Sequence, residues 1–404
     1  MGIAPPGNDA IPLEWSDTKN IVWKRELPGR GASSPIVWRD SIYVTAYSGY
    51  GMEKNDPHSN IHKLVRHLIC VDRKSGGVRW KADVPTMKAH EHGLTGYVHL
   101  HGYASSTPVA DESGVYAYFG RGGIFAWDHA GKQRWHFPDT TRHQHTWGSA
   151  ASPILFENLL IVHPDIETGA LIALDKTTGR EVWRANTGSG DSWGTPLVVD
   201  AGGRKELVFH HTDSYHQLQK GNPATVGAVD PRSGKKLWEC NILKDYLCPS
   251  PVAKDGVIYW LGYKHGAAMR AGGSGDVTAS HVEWTTTHGT EICTPILHGG
   301  HVYWTNEESG FAFCLDAKTG AVAYKERIEP KPGLIYASGV LVGDRIYYVS
   351  RENGSYVVEA KPAFRLLARN VIESDTSIFN GTPAISRGQL FLRSDRFLYC
   401  IGTK

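Results

Sequence analysis

Short apolar runs alternate along the chain with polar segments that are rich in glycine. Runs such as Ser41-Ile42-Tyr43-Val44 and Gly256-Val257-Ile258-Tyr259-Trp260 have the length and the β-branched or aromatic content of buried strands. No long segment shows the 3.6-residue period of an amphipathic helix, and no run approaches the ~18 apolar residues of a membrane-spanning helix. The pattern predicts an all-β protein without a transmembrane segment.

A Ser/Thr-Pro phrase precedes these runs at recurring intervals. Its copies begin at Ser34, Thr107, Ser152, Thr195, Ser250, Thr294 and Thr382, and Ser338-Gly339 stands where an eighth copy is due. From 250 to 294 to 338 to 382, each interval is 44 residues. The longer intervals elsewhere predict loop insertions into a constant repeat frame.

A second phrase, Asp-x-x-Thr/Ser-Gly-x-x-x-Trp, recurs in step with the first. It runs from Asp72 to Trp80, Asp175 to Trp183, Asp230 to Trp238 and Asp316 to Tyr324, with a shorter form from Asp128 to Trp135. Asp and Ser/Thr side chains accept hydrogen bonds from backbone N–H groups in tight turns, and glycine takes the positive φ. Each phrase therefore predicts a turn that leads into a strand.

Together the two phrases define a unit of four antiparallel strands, A to D, which is one blade of a β-propeller. A sandwich or a solenoid is the alternative, but repeats with this spacing favour the propeller. The last unit ends after strand C, whereas an unpaired D-like strand, Ile21-Val22-Trp23-Lys24, precedes the first strand A. Pairing the two ends removes an open edge. We predict eight blades over residues 20–404, closed by this N-terminal strand, after an extension of residues 1–19.

The phrase resembles the PQQ-like (pyrroloquinoline-quinone-like) repeat of quinoprotein dehydrogenases and of the propeller lipoprotein of the outer-membrane β-barrel assembly machinery. Secreted bacterial PQQ-like proteins of uncharacterised function are closer, on three stretches: His101 to Pro108, Arg270 to Thr278, and Leu398 to Gly402. The resemblance covers the chain from Asn20 and implies a fold more than a function, because propellers host unrelated activities. Blades five and seven depart from the pattern at Met269–Gly272 and Glu359–Pro362. Adaptation to a ligand is one interpretation of these departures, and decay of the repeat is the simpler one.

Composition and charge exclude some classes of function. The net charge is +2 with 21% charged residues, and there is no concentrated Lys/Arg face, so no nucleic-acid partner is expected. The start of the sequence has no basic region followed by an apolar stretch, so it predicts no signal peptide. The resemblance nevertheless implies a periplasmic or secreted protein, which we expect to be a monomer.

The six cysteines include no adjacent pair. The resemblance implies that a PQQ-binding dehydrogenase carries such a pair, so PQQ is not expected here. Cys70, Cys314 and Cys400 occupy one strand-C position where other blades have alanine, which predicts buried, unreactive thiols. Cys293 is expected to be similar, and Cys240 and Cys248 could form a disulfide in an oxidising compartment.

Histidines are concentrated in the long B–C and D–A loops, which share the top face of a propeller. Three pairs have His-x-His spacing, which in an extended chain points both imidazoles to one side. Their convergence would create a Zn or Cu site, although histidine is also common in polar loops. The candidate ligands are His90, His92, His99, His101, His143 and His145.

The residues just before each Ser/Thr-Pro phrase should line the top of the central channel. Aromatic residues recur there beside an acid and a histidine, and they suit a sugar ring or a flat organic ligand, or else act as wedges between blades. The candidate binding residues are His101, Tyr103, Trp147, Trp193, Glu291 and Tyr336.

Two functions remain open on this sequence. The first is a non-catalytic binding or scaffold propeller of the bacterial cell envelope that holds a protein or glycan on its top face. The alternative is an oxidoreductase or metal-assisted enzyme that acts on a carbohydrate or alcohol with PQQ or a His-ligated metal. A convergent pocket with perturbed titratable groups would favour the enzyme, and dispersed polar groups would favour the scaffold.

Overall fold

Eight antiparallel sheets form a closed ring in the computed structural model, which describes residues 11–53, 60–86, 98–138, 147–188, 192–211, 224–243 and 248–403. In each blade, strand A is followed along the sheet by B, C and D. The first strand of the chain is β1 (Ile21–Glu26), and the A to D strands of blades one to four are β2 (Ile36–Trp38), β3 (Ser41–Ser48), β4 (Val65–Asp72), β5 (Val78–Pro85); β6 (Val109–Asp111), β7 (Gly114–Tyr118), β8 (Ile124–Trp127), β9 (Gln133–Phe137); β10 (Ile154–Phe156), β11 (Leu159–Val162), β12 (Ala170–Asp175), β13 (Glu181–Asn186); and β14 (Leu197–Ala201), β15 (Arg204–His211), β16 (Ala224–Val229), β17 (Lys236–Leu243).

Blades five to eight follow the same order, and the blade-five segment also contributes a short parallel strand to the sheet of blade four. Their strands are β18 (Val252–Lys254), β19 (Val257–Leu261), β20 (Gly266–Arg270), the added β21 (Gly275–Asp276), β22 (Val282–Thr286); β23 (Ile296–His298), β24 (His301–Thr305), β25 (Phe311–Asp316), β26 (Val322–Arg327); β27 (Val340–Val342), β28 (Arg345–Val349), β29 (Ser355–Glu359), β30 (Leu366–Asn370); and β31 (Ala384–Ser386), β32 (Gln389–Arg393), β33 (Phe397–Ile401). The described helices are single turns: α1 (Val98–His101), α2 (Asp165–Thr168), α3 (Thr278–His281), and 3-10 turns at Ile61–Lys63 and Gly120–Gly122. None of the helices in the described ranges has the length and apolar character needed to cross a bilayer.

The predicted ring closure is confirmed. Strand β1 pairs antiparallel with β33, in a register that places Lys24 opposite Tyr399 and Glu26 opposite Phe397. The N-terminal strand is thus strand D of blade eight, and it covers the edge that β33 would otherwise expose. Before it, the buried Trp15 stacks on Tyr347 with 6.1 Å between ring centroids.

The Ser/Thr-Pro phrase forms a closed ring of hydrogen bonds around the channel. Each Ser or Thr donates its backbone N–H to the side-chain hydroxyl of the Ser or Thr in the next blade, over 2.9–3.1 Å, and the last blade bonds to the first. Ser338 keeps its place in the ring although glycine follows it. This hydroxyl ring consists of Ser34, Thr107, Ser152, Thr195, Ser250, Thr294, Ser338 and Thr382.

The Asp-Gly-Trp phrase joins neighbouring blades at the bottom face. The turn glycine of one blade lies under the strand-D tryptophan of the preceding blade, so a Cβ atom at Gly179 would stand 2.6 Å from the Trp135 ring. The Trp135 indole N–H also donates to the Lys176 carbonyl at 3.1 Å. Four more blade junctions repeat this contact, with the pairs Trp23–Gly76, Trp80–Gly131, Trp183–Gly234 and Trp284–Gly320.

Contacts with neighbouring blades replace the missing turns of the two irregular blades. Blade five has no turn on which Trp238 can dock, and the Trp238 indole N–H donates instead to the buried Glu206 carboxylate at 2.8 Å. The same carboxylate oxygen accepts the Gly272 N–H at 3.0 Å, and β21 pairs parallel with β17. Where blade seven lacks the turn, Tyr324 replaces tryptophan and packs edge-on against Phe364.

The cysteine predictions are largely confirmed. Cys70, Cys314 and Cys400 are buried and free, as is Cys293. Burial raises the pKa of each of these thiols, which keeps them protonated. The Cys240–Cys248 disulfide considered from the sequence is not formed, since both residues are free cysteines.

Candidate functional site

A cavity of about 330 Å³ lies at the top of the channel, immediately above the hydroxyl ring. Its wall contains, from every blade, the residue that stands two places before the ring hydroxyl. These eight residues are Ala32, Ser105, Ala150, Trp193, Cys248, Ile292, Tyr336 and Asn380. Strand A starts on the channel side in each blade, so the same register position of the repeat lies near the axis in all eight blades. We call this space the channel-mouth cavity.

The wall of the channel-mouth cavity is asymmetric. Blades one to three contribute only small residues at this position, and longer loops place Leu100, His101 and Trp147 over that side. Blade six adds two acids, Glu291 and Glu308. The asymmetry gives the cavity an aromatic and apolar side and an acidic side, as a ligand-orienting site requires.

The aromatic side is held by a chain of hydrogen bonds. The His101 Nε2–H donates to the Trp147 carbonyl at 2.6 Å, and the Ser105 hydroxyl lies 2.5 Å from His101 Nδ1. The Trp193 indole N–H donates to the Gly148 carbonyl at 2.9 Å. These bonds set the two indoles 5.1 Å apart between centroids, tilted by 32°. The pair is therefore anchored through both adjoining loops.

The acidic side carries a perturbed carboxyl group. Burial, followed by the negative charges of Glu307 and Glu308, raises the pKa of Glu291 to about 7. Glu307 is itself buried, and its carboxylate accepts the Thr290 hydroxyl at 2.8 Å and the Glu291 backbone N–H at 2.9 Å. Glu291 is thus held with its backbone against one carboxylate and its side chain in the cavity.

Two further groups complete the electrostatics of the cavity. Burial raises the pKa of the Cys248 thiol, and the nearby Glu291 charge adds to the shift. Arg351 is buried outside the wall, with its guanidinium carbon 4.3 Å from the centroid of the Tyr336 ring. Its Nη2 donates to the Leu100 carbonyl at 3.4 Å. A thiol held protonated is a poor nucleophile and a poor metal ligand.

Five of the six binding residues predicted from the sequence meet in this one cavity: His101, Trp147, Trp193, Glu291 and Tyr336. Tyr103 does not line it. Its ring packs edge-on against Tyr47, 5.4 Å between centroids, beside a separate cavity of about 50 Å³ that also contacts Arg66 and Glu167. Ligand binding by the other five residues stays a prediction.

The predicted metal ligands fall mostly outside the described residues, where His90, His92, His143 and His145 lie. His99 and His101 lie on helix α1, so the assumption of an extended chain is wrong for this pair, and i,i+2 side chains on a helix diverge. The single lone pair of neutral His101 faces Ser105. Within the described ranges, no three His, Cys, Asp or Glu residues are placed to hold a metal ion. The Zn or Cu site stays a prediction.

Sequence reasoning missed several residues of the cavity wall, namely Ala32, Leu100, Ser105, Ala150, Cys248, Ile292, Glu308 and Asn380. Six of these occupy the register position two residues before a Ser/Thr phrase, so a strict use of the repeat frame would have found them. A selection by aromatic or charged residue type finds only the larger members of the wall. Leu100 and Glu308 carry no such signal, because they reach the cavity from loop positions outside this register.

A comparison with family profiles finds that residues 66–326 match the PQQ_2 family, described as outer membrane protein assembly factor BamB. This match spans more than half of the chain. The protein belongs to the PQQ_2 family. None of the curated protein sequences compared with this PQQ_2 protein matches it.

Solved structures resemble the PQQ_2 propeller over nearly its whole length. BamB from Moraxella catarrhalis is 14% identical, with 95% of this chain and 97% of that chain covered at a TM-score of 0.62. A europium-containing methanol dehydrogenase is 10% identical, with 95% and 93% covered at a TM-score of 0.68. The quinohemoprotein alcohol dehydrogenase from Comamonas testosteroni is 13% identical, with 95% and 76% covered at 0.63. At these identities the likeness shows the fold alone.

The channel-mouth cavity does not fit PQQ. This quinone carries three carboxylate groups and needs cationic side chains around it. The charged side chains among the described wall residues are the acids Glu291 and Glu308, and no Lys or Arg is among them. A tricarboxylate would therefore meet like charges. We derive no chemistry through this cofactor.

Proposed function

We propose that this PQQ_2 protein is a non-catalytic binding propeller of the bacterial cell envelope that holds a protein or a glycan at its top face. The observation that carries the proposal is the channel-mouth cavity, to which all eight blades contribute at one register position. A volume of about 330 Å³ with an aromatic pair and two acids suits a side chain or a sugar ring of a partner. The BamB description of the family supports a place in the envelope.

The convergent wall and the raised pKa of Glu291 meet one criterion for an enzyme, but the described wall residues include no activated nucleophile for that carboxyl group to assist. The Ser105 hydroxyl and His101 are in contact, as a nucleophile and its base would be. Burial lowers the pKa of His101, however, which makes the imidazole a weak base. Cys248 is held as a thiol by its raised pKa. Neither group is prepared for nucleophilic attack.

Photo-crosslinking in intact cells tests this function. A photoreactive residue at Glu308, on the exposed rim of the cavity, should form an adduct with an envelope protein or glycan. The same residue at Glu326, exposed on outer strand β26 of the same blade, is the matched control. The adduct should disappear in a Trp193→Ala variant. An equal yield from both positions, or an adduct that Trp193→Ala leaves unchanged, contradicts the proposal.

A further inference from the structure

Among the described residues, no cation pairs with the acids of the channel-mouth cavity. Within the part of the chain that the structure describes, the Glu291 carboxylate has no hydrogen bond or ion pair, and the Glu308 side chain has none either. Several surface acids elsewhere in the fold do pair with Lys or Arg, for example Asp200 with Lys205 at 2.8 Å. A half-buried carboxylate without a partner is costly to ionise, unless a cation arrives from outside.

Crowding by other acids increases this cost. Glu307 is fixed beside Glu291 by its bonds to Thr290 and to the Glu291 backbone, so it cannot move away. A cation bound in the cavity would compensate all three carboxylates at once, because they interact with one another. The acidic side of the cavity is therefore preorganised for positive charge.

The opposite side of the cavity favours an apolar body on that cation. Trp147 and Trp193 present two indoles 5.1 Å apart, and Leu100 and Ile292 add apolar surface elsewhere in the wall. Aromatic faces attract ammonium groups as well as methylene and aromatic surfaces. A neutral sugar ring could pack its C–H face on these indoles, but it would bring no positive charge to the two acids.

We propose that the channel-mouth cavity binds a protonated amine carried on an apolar body, with Glu291 and Glu308 as its anionic partners and Trp147 and Trp193 as its apolar wall. This inference rests on the proposed function, because it names the chemical group that the top face recognises. The cavity volume of about 330 Å³ admits an arylalkylamine or the end of a lysine side chain.

A matched set of phenyl compounds tests the charge requirement by isothermal titration calorimetry at pH 8. Phenethylamine, 2-phenylethanol and phenylacetate share one ring and one short chain but are cationic, neutral and anionic. Phenethylamine should bind at least about tenfold more tightly than 2-phenylethanol, and phenylacetate most weakly. Glu291→Gln should remove this preference without changing the affinity for 2-phenylethanol. Glu308→Gln should reduce the preference, and the exposed control Glu326→Gln should leave it intact.

The pH dependence supplies an independent readout. The titratable groups around Glu291 are Glu307, Glu308, Cys248 and Tyr336. The pKa of Glu291 itself is raised to about 7, whereas burial lowers the pKa of His101 across the cavity. A protonated Glu291 cannot pair with an ammonium group, whereas phenethylamine stays cationic throughout. The affinity for phenethylamine should therefore fall as the pH drops from 8 to about 5.5, and that for 2-phenylethanol should not.

Three other results would refute this inference, and a fourth would refute only the proposed function. Equal affinities for phenethylamine and 2-phenylethanol would refute the amine requirement while leaving ligand binding at the top face intact. Tighter binding of glucosamine than of phenethylamine would refute the apolar body and indicate an amino sugar. No binding of phenethylamine up to about 10 mM would refute the site altogether. A failed crosslink at Glu308 together with selective amine binding would refute only the proposed envelope function.

Discussion

The bottom face and the channel mouth follow opposite principles in the same molecule. At the bottom, five strand-D indoles donate to a carbonyl of the next blade over 2.9–3.1 Å, and each covers a turn glycine. At the mouth, no two blades place the same residue type at the shared register position except Ala32 and Ala150. The bottom is a repeated contact in which each indole N–H has a hydrogen-bond acceptor. The mouth has no repeated contact, and its two acids have no cationic partner among the described residues.

The buried polar groups on the top side sharpen this contrast. His163 and Asp165 are fully buried with their ring nitrogen and carboxylate oxygen 3.4 Å apart. Ser192 lies 3.0 Å from Nδ1 of His210, whose pKa is lowered mainly by burial. Such groups reduce stability compared with apolar packing, so these two pairs stabilise the propeller less than apolar side chains would.

The largest expected effect comes from opening the ring. Deletion of residues 1–27 removes β1 and exposes the edge of β33, so the protein should aggregate or lose its cooperative unfolding transition. Size-exclusion chromatography and thermal unfolding measure this. Deletion of residues 1–10 is the control, since β1 remains. A protein without residues 1–27 that keeps its melting midpoint would contradict the role of closure.

A methyl group in the bottom joint should have the next largest effect. Gly179→Ala places a Cβ 2.6 Å from the Trp135 ring at a φ of +73° and should destabilise the protein by about 2–3 kcal/mol. Gly202→Ala is the matched control, because φ is +66° there and nothing lies within 4 Å of the added Cβ, so only about 1 kcal/mol of backbone strain is expected. Urea denaturation compares them. Equal losses would show that Trp135 does not constrain the turn.

Breaking one link of the hydroxyl ring should cost less. Ser338→Ala removes the acceptor of the Thr294 N–H and should lower the free energy of unfolding by about 1–2 kcal/mol. Ser338→Thr, which keeps the hydroxyl that several other blades use, should cost less than the alanine variant. If alanine and threonine behave alike in urea denaturation, the hydroxyl ring contributes little to the stability of the fold.

The smallest effect, and one of opposite sign, is expected at the mouth. The pKa of Glu291 is raised, so the folded state favours the protonated acid, and stability is lost as the pH rises from about 4.5 to about 7. Glu291→Gln should therefore stabilise the protein at pH 8 by on the order of 1 kcal/mol, after allowance for solvent screening, and have no such effect at pH 4. Melting curves at both pH values test this, with Glu326→Gln as the control. A variant that is no more stable than the native protein at pH 8 would contradict the raised pKa of Glu291.

The fold followed from the sequence because its signals are local and repeated. The Ser/Thr phrase and the Asp-Gly-Trp phrase each specify a turn or a strand entry within a few residues. Eight copies of the first and five of the second make the repeat recognisable despite the exceptions. The unpaired Ile21–Lys24 strand and the incomplete last blade were sufficient to predict closure. Aromatic and acidic residues before the Ser/Thr phrases likewise located most of the mouth.

Only the tertiary structure decided which loop residues share the cavity. Tyr103 and Trp147 belong to comparable loops, yet one packs on Tyr47 and the other joins Trp193. Glu308 reaches Glu291 because two loops of blade six meet above the channel. His99 and His101 lie on a helical turn instead of an extended segment. These outcomes depend on contacts between residues distant in sequence, for which no repeated pattern exists. The blades, in contrast, form from short-range interactions that recur along the chain.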